Sequence, residues 1–254
     1  MRSINIKVIW LSALVFMITL NTLAIVLPIN GMSTQMLSDL YPSPFTPAGF
    51  TFSIWSVIYS SLIILAVYQL LPKNSNNELL KKLDPILIAN FVLNGLWILL
   101  WHYGMLWLSL LVMGLLLSTL IMVYKLKRNC DTQSNPIIHF SISIYLGWIS
   151  IATIANISIL QTHYGMDAAL LSADMWTLIK ISIATILAII FLIKFNDLVY
   201  SAVVIWAAFG ISQNHDSDTV IYALSIMAMG VVSVFWLMGL LRFALESFSK
   251  MRNG

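Results

Sequence analysis

Three stretches of this sequence place polar or aromatic side chains at helical spacing. In 90-NFVLNGLWILLWHYG-104, Asn94, Trp97 and Trp101 recur at i, i+3 and i+7 and so share one helix face. In 145-YLGWISIATIAN-156, Tyr145, Trp148, Ala152 and Asn156 recur at i, i+3, i+7 and i+11, with Thr153 beside them. In 41-YPSPFTPAGFTFSIWSVIY-59, three prolines and Gly49 lead into Trp55 and Tyr59, which stand four apart. Indole, phenol and amide groups do not make or break bonds by themselves. They build flat apolar walls with a few hydrogen bonds, as a planar or rigid apolar ligand would need. Each set also has a plainer reading. Trp and Tyr near the end of a membrane span anchor it among headgroups, which is the favoured reading for Trp101 and Trp107 and an even alternative for Trp55 and Trp97. Trp148 lies too deep for that, so packing competes with a pocket. Asn94 and Asn156 serve equally well as hydrogen-bonding glue between helices.

Chemistry of other kinds finds no residues. The chain has no nucleophile elbow, no phosphate-binding glycine loop, no HExxH and no paired carboxylates within an apolar run. His102, His139, His163 and His215 lack metal-site spacing; His102 and His163, on the outer side, read as solvated loop residues, with iron ligation a remote alternative. The single cysteine, Cys130, excludes an internal disulfide. No catalytic residue, metal ligand or obligatory cofactor is therefore expected. An enzymatic role is disfavoured, apart from chemistry on a light-absorbing ligand assisted by Trp.

The elements that must position these residues follow from composition. The 254 residues are 60% hydrophobic and only 9% charged, and mean hydropathy is +0.92. A water-soluble domain carries about 25% charged residues, so lipid is the partner and solvent of this chain. The fold class expected is all-α, a polytopic membrane helix bundle. Eight apolar runs, roughly 8–28, 51–71, 85–103, 105–124, 137–160, 175–194, 198–213 and 219–241, approach the ~20 residues that cross hydrocarbon. Pro85 and Pro136 are expected to open the third and fifth helices. The seventh run is the shortest and could be re-entrant, yet Arg242, Lys250 and Arg252 would then fall on the outer side. With eight spans and both termini cytoplasmic, Lys180 alone among the Lys and Arg residues lies outward, where it reads as snorkelling to the surface. Asp39 and Asp167 fall in outer loops. The net charge of +3 then reflects orientation, and there is no basic stripe for nucleic acid. The cell membrane is the expected location.

Helix direction gives depth. The second span descends from outside and the third and fifth ascend, so at ~1.5 Å per residue Trp55, Trp97 and Asn156 lie on the order of 6–9 Å below the outer surface. Trp148 and Tyr59 sit deeper, all beneath the loop from Asn30 to about Phe50. Pro47 and Gly49 are expected to shape a lid and the aromatics a wall. The motifs concentrate in 1–165, treated as a five-helix ligand-binding core, with 166–254 a three-helix extension.

These motifs resemble the tryptophan-rich sensory protein family, also called the TspO/MBR or translocator-protein (peripheral benzodiazepine receptor) family. The segment 46-TPAGFTFSIWSVIY-59 is similar to that family's proline- and glycine-containing loop followed by Trp and a Tyr four residues on. Asn94 with Trp97 matches its third helix, and Tyr145, Trp148, Ala152, Thr153 and Asn156 match its fifth. Where the family often has Gly-Pro before the helix-two Trp, this chain has Ser53-Ile54, which implies that a helix distortion is missing there. The resemblance covers about residues 5–160. It implies a tetrapyrrole ligand such as porphyrin or haem, or in some members a sterol, bound for sensing or transport. It also implies a homodimer, unless the added helices block that contact. A small-molecule or lipid transporter using all eight helices and a protein that degrades porphyrin in light are the alternatives.

Overall fold

The computed structural model describes residues 3–27, 29–32, 36–37, 40–129, 135–166 and 171–252, and Asp39, Cys130 and Asp167 lie outside the described residues. Those residues form helices and connecting turns, with no strand among them. In hydrocarbon each backbone amide and carbonyl must be satisfied within its own segment, and a helix does this for an apolar run. Seven helices are long and apolar enough to cross a membrane.

The chain falls into two compact units, residues 1–42 with 53–164, and residues 43–52 with 165–254. The first holds α1 (Ile4–Val26), α2 (Ile54–Leu70), α3 (Glu78–His102), α4 (Leu106–Asn129) and α5 (Pro136–His163). Neighbours pack in the order α1, α3, α4, α5, α2, and a slight α2–α1 contact closes the ring. Gly95 lets α1 approach α3, because a Cβ there would sit 2.6 Å from a ring carbon of Phe16. Trp10 of α1 meets Phe91 of α3 edge to face at 5.0 Å.

Helix starts follow side-chain caps. Asn135 accepts from the amides of Ile137 and Ile138 and places Pro136 in the first turn of α5, as expected. Pro85 does not open α3. That helix begins at Glu78, where Asn77 accepts from the Leu80 amide at 3.1 Å, and Pro85 lies inside it. The cap and the burial of Leu80 and Leu83 outweigh the backbone bond that proline removes. Nor is the lead-in to α2 undistorted: a 3-10 turn, Gly49–Ser53, runs directly into Ile54.

The second unit contains α6 (Ala173–Phe195), α7 (Leu198–Ser212) and α8 (Val220–Arg252), each packed on the other two. Asn196 ends α6 in the left-handed region at φ 52°, and Asp197 then caps α7 by accepting from Val199 and Tyr200. Tyr200 stacks on Phe191 at 3.6 Å, and Ser201 donates to the Ala188 carbonyl. Trp236 of α8 donates to the Leu198 carbonyl. With 15 residues, α7 reaches roughly 22 Å, short of the ~30 Å hydrocarbon core. Lys180 is buried, 7% exposed, and does not snorkel to the surface.

Replacing Asn77 by Ala should cost about 1 kcal/mol and hasten amide exchange across 78–84. Hydrogen exchange read by mass spectrometry checks this, since a helix beginning at Pro85 would leave those amides unaffected.

Candidate ligand-binding site

In the first unit the spacing of the motifs becomes one aromatic cluster centred on Trp55. Residues four apart on a helix lie one above the other, and accordingly Tyr59 stacks on Trp55 at 5.3 Å with planes 18° apart. From α3, Trp97 approaches Trp55 at 6.4 Å. From α5, Tyr145 and Trp148 each present a ring at 6.2 Å, Trp148 nearly perpendicular at 85°. Trp97 stacks in turn on Trp101, four residues on, at 6.4 Å. These are contact distances between aromatic rings. Trp97, Trp101, Tyr145 and Trp148 are buried, whereas Trp55 and Tyr59 are half-buried and form the accessible edge.

The polar residues stand behind this wall. Asn94, fully buried, donates to the Tyr145 hydroxyl at 2.8 Å and accepts from Asn21 of α1 at 2.8 Å. The Tyr145 hydroxyl donates to the Met17 sulfur at 3.8 Å. One amide thus joins α1, α3 and α5 and fixes the position of the Tyr145 ring. Asn156 accepts from Ser109 of α4 at 3.2 Å and donates weakly to Ala152 O at 3.5 Å. Thr153 donates to the Ile149 carbonyl; it and Ala152 are half-buried. Both asparagines therefore act as bonds between helices, the plainer of the two sequence readings.

Several other readings change. Trp101 is 3% exposed, with Tyr41 against its ring at 6.5 Å, and is not a headgroup anchor. Trp107, 56% exposed, has the exposure of one. His102 is not a solvated loop residue: it ends α3, is 1% exposed, and donates from Nδ1 to the Ile98 carbonyl at 2.8 Å. His163 lies against Tyr41 and Tyr164. No group of three metal-ligating side chains occurs among the described residues. Pro47 is buried and Gly49 half-buried in the segment 43–52, which belongs to the second unit. Asn21, Met17 and Ser109 were not singled out from sequence. Asn21 carried a signal, being an amide within an otherwise apolar run with Met17 one turn before it.

Two donors in this cluster are left over. The indole nitrogens of Trp97 and Trp101 are buried without a hydrogen-bond partner among the described residues. A buried donor left unsatisfied costs about 1–3 kcal/mol, a cost that an acceptor on a bound molecule would remove.

The family model described as TSPO-like protein matches residues 7–238. The chain belongs to the TSPO-like family. The match extends beyond the 5–160 of the motif resemblance, through α6 and α7 and into α8. No curated protein and no solved structure matches the chain. This TSPO-like protein is thus a multi-pass membrane helix bundle whose aromatic cluster is assembled from α2, α3 and α5.

Asn94→Leu removes two inter-helix bonds of the TSPO-like bundle and should lower its unfolding free energy by about 1–2 kcal/mol, with Asn156→Leu costing about half as much. Thermal or denaturant unfolding in detergent measures both. Equal losses would contradict the placement of Asn94 at the junction of three helices.

Proposed function

We propose that this TSPO-like protein binds a flat hydrophobic ligand against Trp55, Tyr59, Trp97, Tyr145 and Trp148, for sensing or transport. A tetrapyrrole such as porphyrin or haem, or a rigid sterol-like molecule, has the required shape. The observation that carries this reading is the Trp55 ring, half-exposed yet in contact with four other aromatic side chains. A flat ligand replaces some of these ring contacts with equivalent ones of its own, so its arrival sacrifices little packing. The unpartnered indole N–H groups of Trp97 and Trp101 favour ligands with carbonyl or carboxylate acceptors over pure hydrocarbons. Asn94 and Asn156, already bonded to other helices, support the wall and do not read the ligand.

On the distribution of Lys and Arg we assign both termini to the cytoplasm. Ligand flux in sealed vesicles separates transport from sensing.

Protoporphyrin titration of the purified protein, followed by Trp quenching and the porphyrin absorbance, tests the site. Trp55→Leu and Trp148→Leu should each weaken binding about tenfold, equivalent to ~1.4 kcal/mol. Asn156→Leu should change it by no more than about twofold, or ~0.4 kcal/mol. Unaltered affinity in both Trp variants would remove the cluster from the site. Failure of the wild-type protein to bind either protoporphyrin or a sterol would remove the ligand class.

A further inference from the structure

The segment Ser43–Phe52 satisfies only part of its own backbone, through the Thr46 amide to the Ser43 carbonyl and the Thr51 amide to the Ala48 carbonyl. Pro44 and Pro47 have no amide hydrogen, and the only regular structure begins at Gly49. Four further bonds run to α7 and the turn after it. His215 Nε2 donates to the Pro44 carbonyl at 2.8 Å, and Asn214 donates to the Thr46 carbonyl at 3.0 Å. Trp206 Nε1 donates to the Thr51 carbonyl at 3.0 Å. In return the Ala48 amide donates to the Gly210 carbonyl at 2.9 Å, one of the last carbonyls of α7, which no later turn of its helix can reach. Ring contacts reinforce the four bonds, since Phe50 meets Trp206 at 5.5 Å and Phe209 at 5.7 Å, edge to face in both cases. Gly210 has to be glycine here, because a Cβ would overlap the side chain of Thr51.

We propose that α7 is a clasp that holds this segment in one conformation and so sets the start of α2, where Trp55 lies. The link is the covalent chain itself. Thr51, bonded to Trp206, lies within the 3-10 turn Gly49–Ser53, which continues without interruption into Ile54 and Trp55. Trp206, Gly210, Asn214 and His215 are positioning residues in this scheme and do not touch the ligand. Release of the segment frees the first turn of α2, and ligand exchange at Trp55 accelerates with it. The last step rests on the ligand reading above, whereas the effect on α2 does not.

The test uses the full chain in lipid nanodiscs, with hydrogen exchange followed separately in 43–53 and 54–60. The double variant Trp206→Phe with Asn214→Ala removes two of the bonds and keeps the ring. Gly210→Val drives the segment away by steric overlap, and His215→Ala is a mild third variant at the exposed end. The double variant should exchange about tenfold faster in 43–53, with faster exchange in 54–60 and a protoporphyrin dissociation rate raised about threefold. Unchanged exchange in 43–53 across all variants overturns the clasp. Faster exchange confined to 43–53, with 54–60 as in the wild type, overturns its control of α2. Absence of protoporphyrin binding by the wild-type protein counts against the ligand reading alone, because exchange in 54–60 still decides the clasp.

Discussion

The first unit depends on the hydrogen bonds that run from Asn21 through Asn94 to the Tyr145 hydroxyl and on to Met17. Association of helices in lipid gains little from the hydrophobic effect, because acyl chains are as apolar as the side chains they replace. Close packing and a few buried polar contacts must then choose partners and rotations. Asn94 does so for three helices at once. By holding the phenol of Tyr145 it also determines where that ring lies against Trp55. The polar network and the aromatic wall are two sides of the same residues.

The composition made the bundle legible, since a chain so poor in charge has to cross lipid. Side-chain spacing made the cluster legible as well: Trp55 with Tyr59, Trp97 with Trp101, and Tyr145 with Trp148 are helix neighbours, and periodicity is sufficient to see that. Which way a polar side chain turns is another matter. An asparagine at a given register serves a ligand or another helix equally well, and the answer depended on Asn21 and Ser109 from helices whose patterns carried no comparable motif. Helix limits were obscured where proline misled. Pro136 does sit in a first turn, but Pro85 lies inside a helix already begun by Asn77, and a cap eight residues upstream is a weak signal beside a proline.

The proline-rich loop was the least legible part. Its position next to α2 in the sequence suggested that it belonged with the first five helices. Its bonding partners are Trp206, Gly210, Asn214 and His215 instead, more than 150 residues away along the chain. Nothing in local composition reveals such a pairing, because the groups accepting the bonds are backbone carbonyls, which every residue has. One part of it was visible: a segment that two prolines leave short of amide donors has carbonyls free to accept from donors elsewhere. The family match likewise runs on through α6 and α7.

The length of α8 has a mechanical consequence. Its 33 residues extend about 50 Å, some 20 Å more than a hydrocarbon slab of ~30 Å can enclose. Part of this helix therefore stands in headgroups or water as a stiff rod, and it is the same unbroken helix that grips α7 through Trp236 and Leu198.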